Sequence, residues 1–164
     1  MEERIIIVNE EDEPIGVKER SLITSGDIYR VSALWIENNQ GDCLLTRRAY
    51  TKIHEPGKWH PAVSGTVAEG ETYEANVKKE AWEEIGLTDF APTLGPKRRY
   101  SGENNFFAQW FTVKMNLPLN RFKFDLVEVA EARWFPRVEL SCLVRERPDE
   151  FVKSASTWPE LFGI

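Results

Sequence analysis

Apolar positions near the start of the chain predict a β-hairpin. The run Arg4–Val8 (RIIIV) is rich in β-branched side chains, which favour strands. The polar stretch NEEDEP follows it, and apolar residues return at IGVKER. Two β-prone runs separated by a turn are typical of a hairpin, so we expect one here. Residues 21–27 (SLITSGD) then form a connection.

A second hairpin is predicted where apolar and polar residues next alternate. The segment YRVSALWIEN, which begins at Tyr29, alternates as a strand does, and CLLTRR is another such run. The turn NNQGD joins them. Residues 49–59 form a loop with Pro56-Gly57 as its strongest turn signal, and PAVSG is predicted to be a short strand.

The hydrophobic period changes to that of a helix over residues 72–85. Its apolar stripe is formed by Tyr73, Val77, Ala81 and Ile85 and is extended by Trp82 and Ala75. Gly86 stands where the glycine that ends a helix is expected.

The second half of the chain predicts further strands and then helix. After a loop containing Pro92 and Pro96, the β-prone segments are KRRYSG, FFAQWFTVKM and EARWFP, and the remainder predicts one or two short helices. Strands flanking one helix, with more helix at the end, indicate an α/β layered domain. No repeat or linker interrupts residues 1–164, so we expect a single domain.

Composition supports a folded domain and narrows its partners. A hydrophobic fraction of 41% over 164 residues supplies a sizeable core. The net charge of −6 argues against a general nucleic-acid or membrane-surface binder, because those usually carry a basic excess.

Cys43 and Cys142 are far apart, which suggests neither a zinc site nor a disulfide framework. No secretory signal is visible, so we expect a cytoplasmic protein, with a homodimer left open.

Three glutamates crowd the end of the predicted helix: Glu80, Glu83 and Glu84. Like charges at this spacing destabilise a helix by about 0.2–0.5 kcal/mol per pair. Glu84 falls beside the apolar stripe, where a carboxylate needs a partner. A divalent cation would neutralise the cluster, and oxygen ligands suit Mg²⁺ or Mn²⁺. The alternative is a solvated acidic face on which Lys79 pairs with Glu83.

Spacing across residues 65–87 favours the metal site. Five residues separate Gly65 from Glu71, and seven more separate Glu71 from KEAWEEIGL, which begins at Lys79. This arrangement resembles the Nudix box, Gly-x5-Glu-x7-Arg-Glu-U-x-Glu-Glu-x-Gly-U, in which U is apolar. Every position fits except Lys79, where the family has Arg. A match at so many fixed offsets is far more specific than a lone short motif.

The resemblance implies a Nudix-type α/β/α sandwich with a mixed β-sheet, and metal-dependent hydrolysis of a diphosphate linked to another group. The metal ligands carried over by position are Glu80, Glu83 and Glu84, with the Gly65 carbonyl as a further ligand. Glu71 would be held by residue 79 and would orient these ligands. The cation would polarise the diphosphate and lower the pKa of an attacking water. Lys79 keeps the charge of the family's Arg but lacks its bidentate fork.

Most of the first 90 residues, and the tail STWPELF, are also similar to isopentenyl-diphosphate isomerases of the Nudix fold. The residues that carry isomerase chemistry are replaced, however. The catalytic Cys aligns with Ser64, two His ligands align with Thr66 and Tyr29, and a glutamate aligns with Asn105. Since the glutamates of the box are present, the similarity favours an isomerase-like hydrolase over an isomerase.

Side chains outside the box are candidates for the substrate. Neighbouring strand residues point to opposite faces, so one of Arg47 and Arg48, with Lys52 or Lys58, is predicted to hold the distal phosphate. Glu103 is a candidate general base or extra metal ligand. The residues expected to have no part in chemistry are the loop histidines His54 and His60, and Trp59, Phe106 and Trp110 in the core.

The sequence therefore predicts a Mg²⁺- or Mn²⁺-dependent hydrolase whose partner is a small-molecule diphosphate. We expect a nucleoside diphosphate derivative or a similar organic diphosphate. The alternatives are an isomerase-like enzyme and a catalytically silent Nudix module that binds a ligand. Lys79 is the only sequence support for the silent module.

Overall fold

Nine strands form one mixed sheet in the computed structural model, which describes residues 1–164. The strands are β1 (Arg4–Val8), β2 (Pro14–Glu19), β3 (Ile28–Glu37), β4 (Cys43–Arg48), β5 (Trp59–Pro61), β6 (Val63–Thr66), β7 (Thr93–Tyr100), β8 (Asn105–Lys114) and β9 (Val129–Phe135). The helices are α1 (Tyr73–Ile85), α2 (Arg137–Glu146) and α3 (Trp158–Phe162). None of them is both long enough and apolar enough to cross a membrane.

Strand β3 organises the sheet. One of its edges pairs in parallel with β8 along the whole of β3, and β7 pairs with β8 in turn. The opposite edge is shared by three antiparallel partners, first β1, then β6 and finally β4. Both predicted hairpins are present, but β6 pairs with the middle of β3 and so limits the contact between β3 and β4 to two residue pairs.

Alternation along β3 divides the core into two layers. Leu34 and Ile36 pack with α1, while Ala33 and Trp35 face the other side of the sheet. The second layer is covered by α2 and α3, with Trp158 fully buried in it. Helices therefore cover both faces of a mixed sheet, which confirms the predicted α/β/α sandwich.

Helix α1 begins and ends as its sequence predicts. The Thr72 hydroxyl accepts a hydrogen bond from the Ala75 N–H at 3.0 Å, which satisfies a free donor of the first turn. Gly86 ends the helix with φ of +65°, a left-handed conformation that glycine adopts without steric cost.

The buried face of α1 differs from the predicted stripe at its margins. Trp82 is 62% exposed and Ala75 is also exposed, so neither extends the stripe. Asn76 is fully buried instead. The reason is geometric: Trp82 lies about 100° around the helix from Ala81, on the flank that turns away from the sheet.

Two strand predictions need correction. The segment PAVSG is divided between β5, which pairs with β4, and β6, which pairs with β3. His60 consequently lies in a buried strand rather than a loop. Strand β7 also begins before Pro96, which sits where the register between β7 and β8 shifts. Proline is tolerated there because β7 is an edge strand with a bulge.

Candidate metal and diphosphate site

Close packing of α1 on β6 places Glu80 against the backbone of Gly65. A Cβ atom built on Gly65 would lie 2.4 Å from the Glu80 carboxyl carbon, far inside van der Waals contact. With the Glu80 side chain where it is, only glycine, which has no side chain, fits at position 65. The first and the central residues of the box are thus neighbours in space.

An ion pair joins the loop before α1 to the helix. Lys79 Nζ lies 2.7 Å from Glu71 Oε1 and 3.6 Å from Glu80 Oε1. Burial opposes ionisation of Glu71, but hydrogen bonds from Lys79 and the Ala68 N–H outweigh it and lower the pKa of this carboxyl. Lys79 therefore pairs with Glu71, and the alternative pairing with Glu83 is not formed.

Asn76 is a site residue that the sequence did not reveal. Its Nδ2 donates to the Thr66 carbonyl at 3.0 Å and to Glu71 Oε2 at 2.9 Å, and it lies 3.5 Å from Glu80 Oε1. Its Oδ1 accepts a hydrogen bond of 2.5 Å from the Ser32 hydroxyl. The available signal was a polar residue one turn before Glu80, close to the apolar stripe.

On this face the surroundings of two glutamates, Glu80 and Glu84, disfavour the charged form of the carboxyl group. Burial raises the pKa of Glu80 to about 7 and that of Glu84 to about 8, and repulsion between neighbouring carboxylates adds to both shifts. The Oε2 atom of Glu84 is buried and has no hydrogen-bond partner. Glu83 is exposed. A divalent cation fits this arrangement, because it would supply the missing partner of Glu84 and relieve the repulsion.

The helix glutamates do not converge on one point. No three His, Cys, Asp or Glu side chains have an arrangement that holds a metal ion. Glu80, Glu83 and Glu84, with the carbonyl of Gly65, stay the predicted ligands of the cation.

Two basic residues, Arg48 and Lys52, lie near enough to Glu84 for their positive charges to act on its carboxyl. Arg48 and Lys52 both act to lower the pKa of Glu84, although burial prevails. Lys52 also forms an ion pair with Glu128. The loop that carries Glu128 is tied to the helix, since the Asp125 N–H donates to the Glu84 carbonyl at 2.9 Å. This corner therefore combines acidic groups for a cation with basic groups for an anion.

His60 is a buried residue near the same two basic residues, Arg48 and Lys52. Its Nε2 is 3.3 Å from the Thr46 hydroxyl, and its Nδ1 has no partner. Burial, followed by the positive charges of Arg48 and Lys52, lowers the pKa of His60 to about 3. The imidazole is therefore neutral at physiological pH and adds no charge to the site.

Three other predicted residues lie elsewhere. Arg47 Nε donates to the Gly57 carbonyl at 2.9 Å, and its guanidinium stacks over Trp59 on the α2 side of the sheet. Lys58 donates to the Asp149 carbonyl. Glu103 is exposed and pairs with Lys153 at 3.2 Å. None of the three makes a hydrogen bond or ion pair with the glutamates of α1.

The positions that align with isomerase residues hold no alternative set of ligands. Ser64 and Thr66 lie on β6, opposite Ala33 and Val31 of β3. Tyr29 stacks on Phe106 with ring centroids 5.7 Å apart. Phe106 is half-buried in this stack, while Trp59 and Trp110 are buried in the core, as predicted for all three aromatics.

Fold and site together define an α/β/α hydrolase domain with a carboxylate-bearing helix. The model of the NUDIX domain family matches residues 28–156. The chain belongs to the Nudix family and is a Nudix hydrolase. Nudix hydrolases generally use divalent metal ions, in agreement with the unpartnered Glu84 carboxylate.

Relatives by sequence include both isomerases and hydrolases. An isopentenyl-diphosphate Δ-isomerase of Enterobacter sp. strain 638 is 33% identical over 154 residues, which cover 88% of this chain and 81% of the relative. A second, from Klebsiella pneumoniae, is 34% identical over 102 residues, but the match spans only 55% of that protein's length. A Nudix hydrolase of Listeria monocytogenes is 28% identical over 74% of this chain and 71% of its own.

The fold is also found in a solved structure. The crystal structure of DR0079 from Deinococcus radiodurans superposes with a TM-score of 0.81 at 23% identity, over 98% of this chain and 99% of that one. The agreement extends over nearly the whole length of both chains, including the N-terminal hairpin and the C-terminal helices. At this level of identity it supports the fold alone.

Proposed function

We propose that this chain hydrolyses the phosphoanhydride bond of a nucleoside diphosphate derivative or a similar organic diphosphate, using Mg²⁺ or Mn²⁺. The cation is held by the helix glutamates Glu80, Glu83 and Glu84 and by the Gly65 carbonyl. The observation that carries the proposal is the buried, unpartnered oxygen of Glu84 beside the Gly65–Glu80 contact. A buried carboxylate without a partner is costly unless a ligand supplies one.

Each charged group has a separate task in this proposal. When bound, the cation polarises the diphosphate and lowers the pKa of the attacking water. Arg48 and Lys52, whose positive charges act on Glu84, attract the distal phosphate and fix its position. Glu71, held by Lys79, keeps the helix glutamates in place. Water adds to phosphorus as the anhydride P–O bond breaks, and the leaving phosphate takes the electron pair.

The proposal also covers the cellular location and the partners of the enzyme. It acts on a small molecule in the cytoplasm and needs no nucleic acid or membrane. Arg47, Lys58 and Glu103 have no task in this proposal, because none of them makes a hydrogen bond or ion pair with the helix glutamates. Their roles as substrate contacts or general base stay predictions from the sequence. Sedimentation equilibrium of the purified chain distinguishes a monomer from a homodimer.

The test is a substrate screen with purified protein in Mg²⁺ and in Mn²⁺. Nucleotide sugars, dinucleotides, nucleoside di- and triphosphates and isoprenoid diphosphates are compared by released phosphate or product. We expect turnover of at least one diphosphate class, and none in EDTA. Glu83→Gln is the control variant, because it removes a ligand charge from an exposed residue with little effect on folding. Turnover no greater than that of the control would refute the proposal.

An isomerase is the second candidate, because relatives with that name match most of the chain. Its chemistry would need a catalytic cysteine and histidine ligands where this chain has Ser64, Thr66 and Tyr29. Incubation with isopentenyl diphosphate, followed by detection of the dimethylallyl isomer, separates the two functions. Metal-dependent binding of a diphosphate with no product of either kind would favour a silent module.

A further inference from the structure

The Glu71 carboxylate is held at both of its oxygens, each by a different group. Oε1 pairs with Lys79 Nζ at 2.7 Å. Oε2 accepts hydrogen bonds from the Asn76 amide at 2.9 Å and from the Ala68 N–H at 3.0 Å. Two side chains from the same face of α1 therefore fix one carboxylate at two points.

Two side chains are needed to hold the Glu71 carboxylate because of the chemistry of lysine. A guanidinium presents several donors in a rigid fork and pairs with both oxygens of a carboxylate at once. An ammonium group is a compact point charge, and that of Lys79 reaches only Oε1 of Glu71. With Lys in the place of the family's Arg, the side-chain donor to the second oxygen is Asn76, which acts beside the backbone N–H of Ala68.

The orientation of the Asn76 amide is determined by its surroundings. Its nitrogen faces the Thr66 carbonyl and Glu71 Oε2, and both are acceptors. Only the NH₂ end of the amide satisfies them, which leaves Oδ1 to accept from the Ser32 hydroxyl. Asn76 is fully buried, so water does not compete for these bonds.

The same two side chains border the central glutamate of the box. Glu80 Oε1 lies 3.5 Å from Asn76 Nδ2 and 3.6 Å from Lys79 Nζ. On its other side Glu80 packs against Gly65. A change at Asn76 therefore alters both the anchor of Glu71 and the surroundings of Glu80.

We propose that Asn76 is a positioning residue of the cation site, and that Asn76 and Lys79 together replace the bidentate arginine of the family. This inference rests on the proposed function, since it assumes that Glu80 helps to hold a divalent cation. Asn76 itself touches neither cation nor substrate. It acts through Glu71 and Glu80 in the way that outer groups orient metal ligands elsewhere.

The test measures Mn²⁺ affinity by electron paramagnetic resonance, which needs no turnover. Asn76→Ala is expected to weaken Mn²⁺ binding by about tenfold, the lower end of the range for outer-shell groups. Lys79→Arg alone is expected to stay within about twofold of wild type. In the Asn76→Ala background, Lys79→Arg restores most of the lost affinity, because the fork then holds both oxygens of Glu71.

A matched control separates positioning from general stability. Gln109→Ala also deletes a buried amide, one that donates to the Gly95 and Trp110 carbonyls and contacts neither Glu71 nor Glu80. It should lower the melting temperature and leave Mn²⁺ affinity unchanged. If Asn76→Ala does not fold, Asn76→Ser with and without Lys79→Arg provides the same comparison.

The outcomes are distinct. Rescue of Asn76→Ala by Lys79→Arg supports the inference. Mn²⁺ binding that is lost in Glu84→Gln yet unchanged in Asn76→Ala overturns this inference and leaves the proposed function standing. Loss of affinity without rescue also overturns it, because Asn76 would then do more than share the role of an arginine. Absence of Mn²⁺ binding in the wild type overturns both.

Discussion

Gly65 and Glu80 are in such close contact that a Cβ on Gly65 would lie 2.4 Å from the Glu80 carboxyl carbon. The contact joins the end of a strand to the middle of a helix, 15 positions further along the chain. It explains in steric terms why the box begins with glycine. The glycine lets the helix approach until its carboxylate meets the strand backbone.

Gly65→Ala should therefore impair cation binding more than folding. Glu80 is a half-buried side chain that is able to turn away from the new methyl group. We expect Mg²⁺ affinity and turnover to fall by about tenfold or more, the range for displaced groups around a metal. Isothermal titration with Mg²⁺ and a steady-state assay check this. Gly16→Ala is the control, since a Cβ there meets nothing within 4 Å.

Mg²⁺ should stabilise the folded protein through Glu80 and Glu84. At about 100 times Kd, a ligand adds roughly 2.7 kcal/mol, which corresponds to a rise in Tm of roughly 5–10 °C for a chain of this size. Glu80→Gln and Glu84→Gln should each remove most of that rise in a thermal melt. Glu74→Gln, on the same helix but paired with Lys78, should retain it. A full Mg²⁺ response in both site variants would exclude this helix as the metal site.

Asp12 should make folding stability sensitive to acid. Burial opposes its ionisation, but hydrogen bonds from Lys97, Arg30 and Tyr73 outweigh it and lower the pKa of the carboxyl. A lowered folded-state pKa gives stability that is present above the unfolded value, about 3.9, and is lost as the pH falls through the folded value. Asp12→Asn should therefore be less stable than wild type at pH 7.

The difference in Tm between wild type and Asp12→Asn should shrink as the pH falls below about 4, because the unfolded chain then takes up a proton on Asp12 while the folded protein still resists protonation. Asparagine is the suitable replacement because residue 12 has φ of +60°, a conformation that Asn tolerates. Differential scanning calorimetry of each protein at several pH values from 7 to 3 measures this difference in Tm. A difference that stays constant across this range would show that the carboxylate charge contributes nothing.

Lys52 and Lys58 should differ in their effect on substrate binding. The positive charge of Lys52 acts on Glu84, whereas Lys58 donates to the Asp149 backbone carbonyl. A lost charge-assisted hydrogen bond costs about 1.5–3 kcal/mol, so Lys52→Met should raise KM by roughly tenfold or more. Lys58→Met should leave KM unchanged. Equal effects in steady-state kinetics would contradict the placement of the phosphate beside Lys52.

Local sequence signals predicted much of the fold. The hydroxyl of Thr72 and the glycine at position 86 delimit α1, because capping depends on residues within one turn of the helix end. Both hairpins follow from β-prone runs around short turns. The parallel pairing of β3 with β8 was not predictable in this way, since it joins segments far apart in the chain.

The candidate site, like the fold, was predictable from the sequence only in part. The spacing of Gly65, Glu71 and the helix glutamates identified the box without any knowledge of the fold. The sequence also left the choice between Arg47 and Arg48 open. In the structure the positive charge of Arg48 acts on Glu84, while the Arg47 guanidinium stacks over Trp59, and this favours Arg48 as the prediction to test.

By itself, then, the sequence determined the family, the helix that carries the glutamates and the identity of the expected ligands. Those features depend on residue types at short, fixed offsets. Only the tertiary structure decided that Asn76 is buried against Glu71, that His60 lies in a core strand and that Trp82 faces outward. Burial and hydrogen bonding depend on which distant segments meet, and that is determined when the sheet and its two helical layers pack together.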